Sequence, residues 1–330
     1  MSLQQALEHH RNGALDAAEQ GYRACLASVP DDADALHLLG VLLHQRGADA
    51  DAEEWIRQAL AQAPERAQFH LSLGGVLMQL GREEAARASF EQALVLDPNA
   101  AETHALVGYL HLLDGNLAAA ENRFRTGRRA EDEDPMLLLG LGNLYLARAD
   151  AEKAVKFLTR AAERKPENAA IQLSLGRALF ERGNYAFADQ AFANAERLQP
   201  ELSQASVYRA RVHMREKDYA GAREMFAALL DAEPFDANAG LGDVARAHGQ
   251  VARALKFYRR AWEIKPDHPG AANACAWCLE QLGDIGGAVD VLSIALERAP
   301  QAEWLRRPLS GLRAQLERSA AVPREGGALE

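Results

Sequence analysis

Cysteine is scarce in this sequence: Cys25, Cys275 and Cys278 are its three thiols, an odd number that builds no disulfide framework and suits a reducing compartment. Aromatic residues supply only 6% of the chain. No apolar run approaches the roughly 18–20 residues that a membrane-crossing helix needs. Positive charge is also in deficit. Lysine and arginine number 37 against 47 aspartates and glutamates, a formal charge of −10, whereas a nucleic-acid sleeve needs a net basic surface. No phosphate-binding glycine loop, H-E-x-x-H, nucleophile elbow or dinucleotide fingerprint occurs. The reading is therefore of a non-enzymatic protein with no cofactor, no metal, and no membrane or nucleic-acid partner. The stretch from Met1 to His10 has no basic segment leading into an apolar core, which makes the cytoplasm the expected location.

What the sequence has instead is a period. Ala18 returns as Ala52, Ala86, Ala120, Ala154, Ala188, Ala222, Ala254 and Ala288, in steps of 34 residues except the step from Ala222 to Ala254, which is 32. Four positions after each alanine stands a large apolar residue: Tyr22, Ile56, Phe90, Phe124, Leu158, Phe192, Phe226, Tyr258 and Leu292. Pro30, Pro64, Pro98, Pro166, Pro200, Pro234, Pro266 and Pro300 close the copies, with Asp132 in place of proline in the fourth. Residues 67–98 serve as the template. Leu73, Gly74 and Leu77 share one helical face and Ala86, Phe90 and Ala93 another, so each copy folds as two amphipathic helices. Gly81 stops the first helix, because glycine takes the left-handed conformation without a Cβ clash, and Pro98 stops the second. A fixed period in this range means stacked repeats rather than one globular core.

With Gly74, Leu77, Gly81, Ala86, Phe90, Ala93 and Pro98 matched in one copy and recurring over residues 2–300, the chain resembles the tetratricopeptide repeat (TPR) family, in its bacterial, repeat-only form. The resemblance implies an all-α, right-handed superhelical solenoid of about nine TPR helix-turn-helix units plus a C-terminal capping helix. The units fall at residues 1–30, 31–64, 65–98, 99–132, 133–166, 167–200, 201–234, 235–266 and 267–300, the cap at 301–318 and a disordered tail at 319–330. It also implies that the first helices line a concave groove holding an extended peptide or a partner's helix. The positions where some relatives clamp a C-terminal carboxylate fall on His37, Val41, Ser72, Glu102 and Leu106, which do not supply the clamp.

Small residues at Gly40, Gly74, Gly108, Gly142, Gly176, Ala210, Gly242 and Ala276 let the two helices of a copy approach closely. The first copy is the most polar, as an end repeat requires. Residues 131–135 read as a solvated acidic loop. Ala149 and Lys217 stand where glycine normally ends the first helix, which predicts weaker caps. Two residues missing between Pro234 and Gly242 predict a shortened or tilted helix after Phe235. Leu305, Leu309, Leu312 and Leu316 form the stripe of the capping helix.

In the phase that the resemblance places inward, the first helices carry Leu71, Met78, Tyr109, Leu112, Leu139, Asn143, Leu146, Leu173 and Phe180. This mostly apolar strip is expected to be exposed and to take a partner's apolar anchors, packing among themselves being the alternative. Beside it Arg177, Arg211, Arg215 and Arg246 suit a partner's acidic groups, unless Glu181, Asp243 and Glu280 neutralise them. The expected function is a scaffold or adaptor that binds a protein or peptide. A second reading is a module recruiting a separate glycosyl- or sulfotransferase, because residues 35–43 look like repeats that precede such bacterial domains. A third is a dithiol pair at Cys275 and Cys278, set against the packed position of Cys275, which predicts buried small residues instead. His37 and His44 stand two turns apart on one helix face, too far for one metal ion.

Overall fold

The structure, a computed structural model, describes residues 1–130 and 132–321, whose regular structure is helical throughout. The chain divides into two compact units, Met1–Pro166 and Glu167–Glu330. The first holds five hairpins: α1 (Leu3–Arg11) with α2 (Leu15–Ser28), α3 (Ala33–Gln45) with α4 (Asp49–Gln62), α5 (Ala67–Gln79) with α6 (Glu83–Leu96), α7 (Ala101–Leu113) with α8 (Leu117–Ala130), and α9 (Pro135–Ala147) with α10 (Ala151–Arg164). The second holds α11 (Ala169–Glu181) with α12 (Tyr185–Leu198), α13 (Ser203–Arg215) with α14 (Tyr219–Ala228), α15 (Pro234–Ala247) with α16 (Val251–Ile264), and α17 (Pro269–Gln281) with α18 (Ile285–Arg298), then a 3-10 turn (Glu303–Leu305) and α19 (Arg306–Ala321). Within each unit a helix packs on its hairpin partner and on the next hairpin, as the sequence period requires.

The second helix of each hairpin sends one apolar key into this stack. Tyr22, Ile56, Phe90, Phe124, Leu158, Phe192, Phe226, Tyr258 and Leu292 are all at most 3% exposed. Burying a side chain of this size contributes about 1.5–3 kcal/mol. Room for the rings comes from absent Cβ atoms. Phe124 lies between Gly108 of its own hairpin and Gly140 of the next, and a Cβ on either would overlap the ring. Gly240 faces Phe226 in the same way. Gly108 is one of the expected close-approach positions; Gly140 and Gly240, on the following hairpin, are not.

The turn after the first helix is left-handed in every described hairpin, through glycine in seven, as at Gly47 and Gly81 with φ of 77° and 70°. Ala149 and Lys217 hold the same conformation at 57° and 64°, although each carries a Cβ that crowds the neighbouring carbonyl there. In the first unit an ion-pair ladder joins successive hairpins at this level. Arg46 reaches Glu19 at 2.5 Å, Arg82 reaches Glu53 at 2.8 Å, and Arg148 reaches Glu121 at 2.6 Å. Between the third and fourth hairpins the charges are exchanged: Arg87 stands one period after Glu53 and pairs with Asp114 at 2.6 Å.

Three expectations change. The 32-residue step is absorbed before Pro234, in α14, which has 10 residues against the 14 of α12 and α16. The helix after the deletion, α15, keeps 14 residues, and Pro234 opens it rather than closing the preceding copy. At that first helical position the missing N–H costs no intrahelical bond. The acidic turn is more than a solvated loop. Asp134 caps α9, accepting from the N–H groups of Met136 and Leu137 at 2.9 and 2.8 Å, while Asp132 and Glu133 pair with Arg128, Arg160 and Arg164. Glu131 lies outside the described residues.

At the C-terminal end Leu305, Leu309 and Leu312 are buried where α19 and the turn before it meet α18, but Leu316 is 41% exposed. Helix α19 continues to Ala321, so the expected disordered tail is helical over its first three residues; the rest of it lies outside the described residues. No helix among the described residues is long and apolar enough to cross a membrane.

Ala149→Gly and Lys217→Gly should each raise stability by about 0.5–1 kcal/mol, read as a higher urea midpoint, because relief of the left-handed strain outweighs the added freedom of the unfolded chain. Arg87→Glu should cost about 0.2–1 kcal/mol, the range for a surface pair, and adding Asp114→Arg should recover most of it in a double-mutant cycle.

Candidate functional site

In the first unit the expected strip is not an open apolar surface. Leu71 and Leu139 are buried, at 9% and 4% exposure, while Met78, Tyr109, Leu112, Asn143 and Leu146 are half-buried. Neighbouring first helices touch here, α3 with α5 and α7 with α9, and Met78, Tyr109 and Leu112 pack against the buried core. Tyr109 sets its ring edge-on to Phe124 at 5.5 Å, and burial raises its hydroxyl pKa beside Asn143. Packing therefore claims Leu71 and Leu139, and the remaining members offer only part of their surface.

The same unit contains a cleft that sequence reasoning did not identify. It has a volume of about 680 Å³ and lies among α1, α3 and α5, with Leu3, Leu7, Leu38 and Phe69 as apolar lining and Glu8, Arg11, Asp34 and Arg66 as charged lining. His37 sits in its wall, 7% exposed, stacked on Phe69 at 4.3 Å with its Nε2 2.9 Å from the Ser72 hydroxyl. Arg66 pairs with Asp34 at 2.8 Å and also approaches the Phe69 ring at 5.0 Å. A signal for the cleft was present in the leucines of the short α1, but nothing in the period says which side of an end repeat stays open.

The second unit gathers three of the four candidate arginines. Tyr208 of α13 stacks on Phe192 at 5.1 Å and meets Phe180 of α11 at 6.2 Å. Arg177 and Arg211 stand 5.8 and 5.1 Å from the Tyr208 ring, and Arg215 stands 5.7 Å from Phe180, distances at which a ring face attracts a cation. Leu173 and Phe180 are half-buried. Arg211 is bonded to Asp236 at 2.6 Å, a partner the sequence reading did not name. Among the described residues Arg177 and Arg215 have no ion-pair partner. Arg246 is separate from this group: it pairs with Asp243 at 2.9 Å and lies 5.8 Å from Trp277. Asp243 also accepts from the Tyr258 hydroxyl at 2.7 Å, so internal neutralisation holds at Arg246.

Cys275 and Cys278 are fully buried. Burial pushes their thiols up to about 12 and about 11, away from the thiolate that disulfide exchange needs. This fits the small-residue reading and opposes the dithiol one.

Desolvation lowers the His37 imidazole from its ordinary 6.5 to about 4, with Arg66 assisting and Asp34 opposing. The folded state thus favours neutral His37, and its contribution is complete above about pH 6.5 and lost as pH falls toward 4. Across that window wild type should lose stability relative to His37→Gln by up to about 1.4 kcal/mol per pH unit, measured by urea titrations at successive pH values.

Residues 1–225 match the family model described as the cilia and flagella-associated protein 70 C-terminal domain, and residues 209–269 and 245–316 match tetratricopeptide repeat models. No curated protein matches the chain. Among solved structures, a tetratricopeptide repeat protein from Parabacteroides merdae is 16% identical, with a TM-score of 0.57 over 73% of this chain and 96% of that one. Pseudomonas aeruginosa pilF is 19% identical, with a TM-score of 0.52 over 62% of this chain and 93% of that one. The APC/C hetero-tetramer Cut9-Hcn1 gives 16% identity and a TM-score of 0.64 over 90% of this chain, which spans 59% of that one. Such identities speak for the fold alone. With one family model spanning 225 of its 330 residues and two more over its later repeats, the chain belongs to the tetratricopeptide repeat family.

Proposed function

We propose that the chain is a non-enzymatic scaffold or adaptor that holds an extended or helical segment of a partner protein against its first helices. Protein–protein interaction is the general role of the tetratricopeptide fold. The observation that carries the finer reading is the arginine group around Tyr208 and Phe180. Two of its guanidinium groups are held over aromatic rings without an internal carboxylate, and a guanidinium fork binds a carboxylate through two parallel hydrogen bonds. Half-buried Leu173 and Phe180 supply apolar ground beside it in the second unit. In the first unit Met78, Leu112 and Leu146 offer a corresponding apolar face without the cations.

The variant for testing this is Arg177→Glu with Arg215→Glu. Arg211 is left in place, because reversing it would also strip Asp236 of its partner and confuse binding with folding. Proteins captured by the tagged wild-type chain should be lost or weakened about tenfold or more with the double variant, while the melting temperature stays unchanged. Undiminished capture by a folded double variant removes the reading.

A further inference from the structure

The second helices of the second unit carry a different kind of surface. Along α16, Arg253, Lys256 and Arg260 recur at i, i+3 and i+7 on one side, with half-buried Phe257 among them, and α14 adds Arg223. Two adjoining depressions share Arg253 and Phe257. The smaller, about 170 Å³, lies where α14, α15 and α16 meet, and Leu241 and Val244 contribute to its lining. The larger, about 480 Å³, extends along α16 past Lys256 to Arg260.

Among the described residues none of these four cations has a carboxylate partner. The Arg253 guanidinium donates to the Gln250 side chain at 3.3 Å and lies 5.8 Å from the ring centre of Phe257. The one carboxylate on α14, Glu224, and the one on α16, Glu263, line neither depression. In a chain of formal charge −10, which elsewhere pairs many of its arginines, an unneutralised basic shelf with an apolar floor is complementary to one kind of occupant.

We propose that this shelf docks an acidic segment of a partner protein, with an aliphatic side chain in the smaller depression and carboxylates along Arg253, Lys256 and Arg260. The apolar floor, with Leu241, Val244 and Phe257 in its lining, gives a side chain somewhere to go, which a phosphate backbone does not need. The site is built from second helices and shares no residue with the arginine group on α11 and α13.

The test uses the full chain and a fluorescent peptide of repeated Glu-Glu-Leu containing a photoreactive leucine. A Gln-Gln-Leu peptide, a single-stranded DNA oligonucleotide and phosphatidylserine vesicles form the other arms. The acidic peptide should bind, weaken as salt rises, and crosslink to α14, α15 or α16. Arg253→Glu with Lys256→Glu and Arg260→Glu should lower its affinity about tenfold or more and abolish those crosslinks. Arg177→Glu with Arg215→Glu should leave those crosslinks in place. No binding, crosslinks confined to α11 and α13, equal binding of the Gln-Gln-Leu peptide, or tighter binding of DNA or vesicles overturns the proposal. Crosslinking of the wild-type chain decides the matter even if the triple variant fails to fold, and failure here leaves the first-helix reading untouched.

Discussion

The ring of Phe124 fits between helices only because Gly108 and Gly140 carry no Cβ, so one side chain packs at once against the first helix of its own hairpin and the first helix of the next. A lone hairpin would leave one side of such a key in water, and at about 25 cal/mol per Å² of apolar surface this is a large fraction of what a short helix pair can contribute. The keys recur at every second helix, all essentially without solvent contact, so the stability of each copy depends on the presence of its neighbour. Other features follow from this closeness. Left-handed turns set the angle between helices, and the turn level brings Arg46, Arg82 and Arg148 within reach of carboxylates on the preceding hairpin.

The period alone makes the helices, their apolar faces and the keys readable, because each is a local property repeated with fixed spacing. What depends on how two copies meet is harder to read. Gly140 resembles an unremarkable first-helix residue until Phe124 of the preceding copy is placed against it. Arg87 looks like a break in a row of glutamates until Asp114 is found to have changed sign with it. The missing two residues illustrate a further limit. Spacing counts them without saying which helix gives way, and Pro234 can end one helix or begin another; the structure shortens α14 and uses the proline as a helix start.

The candidate surface was legible in the same partial way. The phase of Leu71 and Leu139 on the first helices is readable, but their exposure depends on how neighbouring helices meet, and both are buried. Arg246 was recognisable with its neutralising partner because Asp243 is one helical turn away. Asp236, which neutralises Arg211, belongs to the next copy and gives no local signal. His37 shows the same limit: its groove position is readable, whereas its stacking on Phe69 and the resulting preference for the neutral imidazole belong to a contact between hairpins.

Charge placement then separates surfaces that hold the array from surfaces free to bind. An arginine paired with a carboxylate of its own chain must give up that pair before meeting a partner, and the exchange gains little. An arginine resting on an aromatic face has already lost part of its side-chain freedom yet keeps its hydrogen-bonding fork unoccupied, so less ordering remains to be done when a carboxylate arrives. Arg177 over Tyr208 and Arg215 over Phe180 are in this second condition; Arg253 over Phe257 gives one N–H to the Gln250 side chain but has no carboxylate, while Arg46, Arg82 and Arg148 are in the first. In a protein of net negative charge such held but unpaired cations are local exceptions to the prevailing field, and it is on these faces of the second unit, rather than on its surface at large, that the proposed docking of an acidic partner rests.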